Sequence, residues 1–181
     1  MNTSDICTAR LCLISITLPM MHAEEANLVG LAPLINAQIP SQWPPEYREP
    51  HVFEFMKRQY TESPHTVGWH RYVLLCAEPR ILIGTVDGHP RSPSEAEIGY
   101  SLLSQWQRKG LATEAARAFI AWLFAGDTLA DITAQTFPHL IPSVRVLEKC
   151  GFFLDGHGDE PGALRFRLDK ARWQHPNMNT G

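Results

Sequence analysis

The sequence predicts one α/β domain, a twisted and mostly antiparallel sheet with flanking helices. Three observations lead there. The chain has 181 residues, 44% hydrophobic and 19% charged, enough for one sizeable core and too little for two comfortable domains. Segments that alternate apolar and polar residues are interleaved with segments of helical spacing, in the order β-α-α-β-β-β-α-β-α-β-β. Brief glycine- and proline-rich turns separate them, with no repeat, low-complexity stretch or linker. The whole chain, 1–181, reads as one unit with a core from about 9 to 170.

Taken in order, LCLISI at 11–16 is the first strand. Thr17 caps a helix with Pro19 in its first turn, running to about Val29. Gly30, Pro33 and Pro40 then break the chain, and IPSQWPPEYREP is an ordered loop. A helix over HVFEFMKRQY follows, with Pro50 tolerated near its start. Trp69–Ala77 and Arg80–Val86 form a hairpin around Glu78-Pro79. DGHPRSPSE is a second turn region that leads into a strand at 95–103. Leu111, Ala115, Ala118, Phe119 and Trp122 recur at helical spacing and mark the buried face of the next helix. ADITAQTF is a strand. IPSVRVLEKC is a short helix ended by Gly151 as C-cap. FFLDGHGDEPGALRFRL closes the domain with two strands around a glycine-rich turn.

Composition excludes several classes. Sixteen basic and nineteen acidic residues give a net charge of -3, without the basic excess of a nucleic-acid binder. Cys7, Cys12, Cys76 and Cys150 show no CxxC spacing, and reduced thiols in a cytoplasmic protein are expected. LCLISITLPMM is broken by Ser15, Thr17 and Pro19 and lacks a clean cleavage site, so a strand entering a helix is expected rather than a leader. No run reaches the length of a membrane span. The eight histidines have no metal-ligand spacing, and no metal site is expected.

The informative stretch is QRKGLATEAARAF at 107–119. A strand, a short loop with Gly110 and a helix leave backbone N–H groups free at a helix N-terminus, which attracts phosphates. The small residues Gly110 and Ala112 let phosphate oxygens approach the amides of 108–113. Arg108 and Lys109 add charge. A glycine that merely starts a helix beside solvated cations is the plainer alternative for this motif alone. No GxxxxGK[ST] run exists, which removes a Walker-type nucleotide loop.

EIGYSLLSQWQRKGLATEA followed by SVRVLEKCGF resembles the GNAT superfamily of acyl-CoA-dependent N-acetyltransferases. It is most similar to the branch that includes the ribosomal-protein N-terminal acetyltransferases. The resemblance covers most of the chain, from ARLCLISIT to ALRFRL. The pyrophosphate motif Gln/Arg-x-x-Gly-x-Gly/Ala is matched by Gln107, Gly110 and Ala112, with Arg108, Lys109, Leu111 and Thr113 completing the cradle. The resemblance implies a splayed central strand pair, between the strand of Glu97 and ADITAQTF, where the pantetheine arm of coenzyme A would insert. Its amides would meet backbone around Leu102, Leu103 and Ser104, as in strand addition. Ser143 matches the serine of the family's Asn-x-x-Ser pattern, while Leu140 stands where the asparagine would be. Many relatives place a thiolate-protonating tyrosine near the last helix. Tyr47, Tyr60, Tyr72 and Tyr100 all precede it, which leaves Ser143 as the nearest substitute by position.

Glu97 matches the carboxylate that acts as base in several relatives. Alternation puts Glu97, Gly99 and Ser101 on one strand face, with Ile98, Tyr100 and Leu102 on the other. A second role is open: pairing with Arg71 or Arg80 on a neighbouring strand. The implied reaction is acetyl transfer from acetyl-CoA to a primary amine, a peptide N-terminus or small amine, in a ternary complex. A non-catalytic acyl-CoA-binding or regulatory module on the same fold is the alternative. A homodimer is a further expectation, with no nucleic-acid or membrane partner. Trp43, Tyr47, Trp69 and Trp106 are read mostly as core or cleft wall, with Trp43 the best of them for substrate contact. Asp155, Asp159 and Glu160 are candidates for attracting a cationic amine, or equally a solvated turn. Cys150 reads as a small core residue and His139 as a surface histidine.

Overall fold

A computed structural model describes residues 5–26, 28–45 and 51–175. Tyr47 and Pro50 therefore lie outside the described residues. Among the described residues eight strands form one sheet in the order β1-β2-β3-β4-β5-β6-β8-β7. They are β1 (Ile6–Cys7), β2 (Leu11–Ser15), β3 (Arg71–Leu75), β4 (Ile81–Ser92), β5 (Glu95–Leu102), β6 (Asp131–Thr136), β7 (Phe153–His157) and β8 (Leu164–Asp169). The helices are α1 (Leu18–Ala26), α2 (Leu28–Ile35), α3 (His51–Glu62), α4 (Leu111–Phe124), α5 (Ile141–Lys149) and α6 (Lys170–Gln174). Every strand pair is antiparallel except β5–β6.

Strand alternation sorts the side chains into two cores. On one face Leu13, Val73, Ile83, Ile98, Ile132 and Phe166 pack under α4, whose Ala115, Phe119 and Leu123 are fully buried. On the other face Ile14, Tyr72 and Leu82 meet Met21 of α1, Leu31 of α2 and Met56 of α3. That second core covers only the β2–β4 side. Over β5–β8 the same face carries ion pairs, Glu95 with Arg165 at 3.0 Å and Arg167 with Asp131 at 3.6 Å. The candidate site opens at the edge of this polar half.

Two local expectations are corrected, and two short elements went unread. The helix expected from Thr17 to about Val29 is described over Leu18–Ala26, Asn27 lies outside the described residues, and residues 28–35 are helical despite Gly30 and Pro33. Buried Leu31 and Ile35 anchor that turn. The hydrogen bond lost at Pro33 falls on the carbonyl of Val29, which is exposed and can meet water. DGHPRSPSE is mostly strand, since β4 runs on to Ser92. Pro90 fits because the register shifts between Pro90 and Ser92, a bulge where the missing N–H does no harm. The short β1 and α6 carry too little pattern to be read locally. α6 is fixed by Asp169, which accepts a hydrogen bond from Arg172 N at 2.7 Å. Among the described residues no helix is long and apolar enough to cross a membrane.

Candidate active site

Parallel strands β5 and β6 pair only from Glu95–Glu97 to Asp131–Thr133. β6 stays with β8 along its whole length, while β5 stays with β4. The sheet therefore splits past Glu97, as the family resemblance implied. A cavity of about 460 Å³ fills the split, lined by Glu97, Gly99, Tyr100, Gln135, Leu140 and Ser143 among others.

The loop after β5 begins with a 3-10 turn at Ser104–Trp106. Gln107 donates from Nε2 to the Leu102 carbonyl at 2.9 Å, so the motif's first residue braces the loop. Arg108 and Gly110 both take left-handed backbone conformations, φ +58° and +76°. For Arg108 that costs about 1 kcal/mol, a strain held at the mouth of α4. Gly110 is the N-cap, and its carbonyl accepts from Glu114 N at 3.1 Å. The first-turn amides at Leu111, Ala112 and Thr113 are the ones a helix leaves without intrahelical partners. Lys109 sets its ammonium 4.7 Å over the Trp106 ring. The backbone around Leu102–Ser104 is largely engaged already. Leu103 N donates to Ile83 O at 2.9 Å and Leu103 O accepts from Trp106 N at 2.9 Å.

One cation at this loop escapes any local reading. Arg10, from the turn before β2, donates to the Lys109 carbonyl at 3.1 Å and pairs with Glu114 at 2.6 Å. Burial opposes the charged form of Glu114. Hydrogen bonds from Thr8 and Arg10 outweigh it and hold the carboxyl below its usual range.

Glu97 is 14% exposed and lies on the sheet face away from α4. Its Oε2 accepts from Gln135 Nε2 at 2.9 Å and faces Arg91 Nε at 3.5 Å. Its Oε1 faces His89 Nε2 at 3.8 Å. Neither Arg71 nor Arg80 is among these partners. Arg71 points to the opposite face, where it donates to the Leu13 carbonyl and stacks 4.4 Å over Trp122 of α4. Arg80 lines a separate surface cleft beside α1 and α2. Asp159 joins the Glu97 group: it accepts from Gln135 and from Arg91, at 3.0 and 2.6 Å, and both hold its carboxyl below the usual range. Asp159 and Glu160 reach the cavity, whereas Asp155 pairs with Arg165 and Arg167 on the polar face.

Across the split, Tyr100 of β5 extends to the first turn of α5. Its hydroxyl donates to Ser143 O at 3.0 Å and lies 3.3 Å from Ser143 Oγ. Burial pushes the phenol well above its ordinary range, so it stays protonated. Sequence position alone had dismissed every tyrosine. Leu140 serves as the N-cap of α5 through its backbone, its carbonyl accepting from Ser143 N at 2.9 Å. Trp43 does not reach the cavity. It is buried in the second core and donates from Nε1 to Glu24 at 2.8 Å. Trp69 is core, His139 stacks on Phe137 at the surface, and Cys150 is buried, its thiol pushed up to about 11 by desolvation.

The family model described as "Acetyltransferase (GNAT) domain" matches residues 18–153. The uncharacterized N-acetyltransferase YjdG of Bacillus subtilis is 24% identical over 151 residues, covering 82% of this chain and 89% of that protein. Two solved structures share the fold. The ribosomal-protein-S5-alanine acetyltransferase of Vibrio fischeri superposes with a TM-score of 0.60 at 21% identity, over 94% of this chain and 98% of that one. The spermidine N-acetyltransferase of Vibrio cholerae, solved in complex with CoA and spermine, gives 0.62 at 18% identity, over 92% and 99%. With three quarters of its length matched by that domain, and with the split sheet and loop described above, the chain belongs to the GNAT acetyltransferase family.

Proposed function

We propose that this chain transfers an acetyl group from acetyl-CoA to a primary amine by direct attack in a ternary complex. One observation carries the reading. A carboxylate, Glu97, and two hydroxyls, on Ser143 and Tyr100, line one cavity in the split, and the strand that carries Glu97 leads into the loop before α4. Residues 107–113 would hold the pyrophosphate through backbone amides, with Arg10, Arg108 and Lys109 adding charge. Leu102, Leu103 and Ser104 would border the pantetheine, its strand-like contact shifted toward the open edge of β5 because the Leu103 amide is taken. The amine attacks the thioester carbonyl carbon, the C–S bond breaks, and the amine's surplus proton goes to Glu97. The departing thiolate takes a proton from the Ser143–Tyr100 pair. Free cysteines, two of them exposed, suit a reducing cytoplasm.

The acceptor favoured is an amine of low pKa. With ordinary values near 7.7–8.0 and 10.4, about one α-amine in ten is neutral at pH 7, against about one lysine in 2,500. Peptide N-termini and similar small amines should outrun lysine side chains. The test is a screen of thiol release from acetyl-CoA across peptides, polyamines and amino-acid amides, repeated with Glu97→Gln. Turnover should fall by about 10²-fold or more near neutral pH in that variant, with coenzyme A affinity intact. Tight coenzyme A binding without thiol release from any amine would instead favour a non-catalytic acyl-CoA-binding module.

A further inference from the structure

The carboxylate of Glu97 is crowded. Gln135 and Arg91 occupy the surroundings of Oε2, which leaves Oε1 as the oxygen facing His89. His89 stands directly across from Glu97 in the β4–β5 register and lines the same cavity, its side chain 29% exposed. Its ring is held rather than loose. Phe55 of α3 meets it edge-on, centroids 5.8 Å apart. The preceding Gly88 carbonyl accepts from buried Gln59 at 3.0 Å, and Gln59 in turn faces His70 at 3.2 Å. The charged or titratable groups around the ring, among the described residues, are few. Asp87 and Arg91 share its strand face, Glu97 faces it from β5, and α3 sets Arg58 over the same Phe55.

The 3.8 Å gap between His89 Nε2 and Glu97 Oε1 is too long for a hydrogen bond and too short to hold a water between them. It suits two groups that draw together once a proton arrives. Imidazole changes charge most readily between about pH 5 and 8.

We propose that His89 is the second member of a proton-transfer pair with Glu97, and so a further catalytic residue of the acetyl transfer. The proton leaving the attacking nitrogen passes to Glu97 Oε1 and then to Nε2 of a neutral His89 whose own proton sits on Nδ1. The amine N–H bond breaks as an O–H bond forms on Glu97, that O–H bond breaks as an N–H bond forms on the ring, and no other bond changes. The resulting imidazolium lies beside the ionised Glu97, and its exposed edge returns the proton to water. Glu97 is thus regenerated at each turnover, holding the proton only in transit.

The proposal rests on the acetyl-transfer reading, and the experiment separates the two. Acetyl-CoA is supplied with alaninamide, spermidine or a lysine ester, and thiol release is followed for the wild type and His89→Ala. Coenzyme A titration calorimetry and circular dichroism report whether the variant is folded and loaded. The expected result is a fall in turnover of about tenfold or more at pH 7, coenzyme A affinity unchanged, and partial recovery when free imidazole is added. His89→Gln, which fills the space without titrating, should be as slow and indifferent to imidazole. Wild-type turnover retained in His89→Ala overturns the proposal, as does a loss that imidazole leaves untouched. A wild type that binds coenzyme A yet releases no thiol with any of the three amines sinks the transfer reading itself, and this one with it.

Discussion

Replacing Gly110 tests the anion site most directly, because two substitutions separate charge from backbone strain. Gly110 sits at φ +76°, and a Cβ built there meets only the Arg10 guanidinium, at an ordinary 3.6 Å. Gly110→Ala therefore brings the left-handed penalty without a clash, about 1–2 kcal/mol. For a chain of this length that is a fall in Tm of roughly 2–8 °C. Gly110→Asp brings a penalty no larger, since aspartate tolerates this region better, and adds a carboxylate where the pyrophosphate would lie. A unit charge about 4 Å from one phosphate charge, at an effective dielectric near 20, is worth roughly 4 kcal/mol. Diversion of Arg10 from Glu114 toward the new carboxylate would add to the loss. At about 1.4 kcal/mol per decade, coenzyme A affinity should fall on the order of 10³-fold in the aspartate variant, and by about tenfold or less in the alanine variant. Isothermal titration of coenzyme A at fixed ionic strength measures both, with melting curves run alongside. Affinity in Gly110→Asp within about threefold of Gly110→Ala would refute the placement of the phosphates on these amides.

Three further outcomes follow from single contacts. Tyr100→Phe removes the hydroxyl beside Ser143 and should slow turnover by about tenfold or more while leaving coenzyme A binding intact; unchanged turnover would remove Tyr100 from the proton path. Gly99→Ala would set a Cβ 2.9 Å from Asp87 Oδ1, so its cost should shrink by about 0.5 kcal/mol or more when Asp87 is also alanine, in a double-mutant cycle read by urea unfolding. Glu114 has a depressed folded-state pKa, so its contribution is present above the ordinary carboxylate value and is lost as pH falls through the folded one. Glu114→Gln should therefore cost about 1 kcal/mol at pH 7, modest because Arg10 is half exposed, and converge with the wild type in strong acid; a gap that persists there would mean the loss is not electrostatic.

The sheet's split was implied by the family resemblance, but local chemistry was enough to determine the strand, the loop and the helix at 95–124. Those features depend on alternation, a glycine forced to positive φ and helical spacing, all set within about a dozen residues. The same held for Leu111, Ala115 and Phe119 on the buried face of α4, with Ala118 and Trp122 partly buried at its margin, and for the stop after α5, where Cys150 is the C-cap and Gly151 follows it at φ +92°. Local pattern failed where packing outweighed propensity, at Pro33 inside α2 and Pro90 inside β4. It also failed for contacts between residues far apart in the chain. Tyr100 reaches Ser143 across 43 positions and Arg10 reaches Glu114 across 104. Arg91, Gln135 and His89 gather on Glu97 only because β4, β5 and β6 are neighbours in the sheet. Such meetings are set by strand order and register, which decide the side chains that share a face and are written in no single stretch of sequence. The sequence by itself determined the strand–loop–helix around Gly110; the tertiary structure alone decided which groups surround the Glu97 carboxylate.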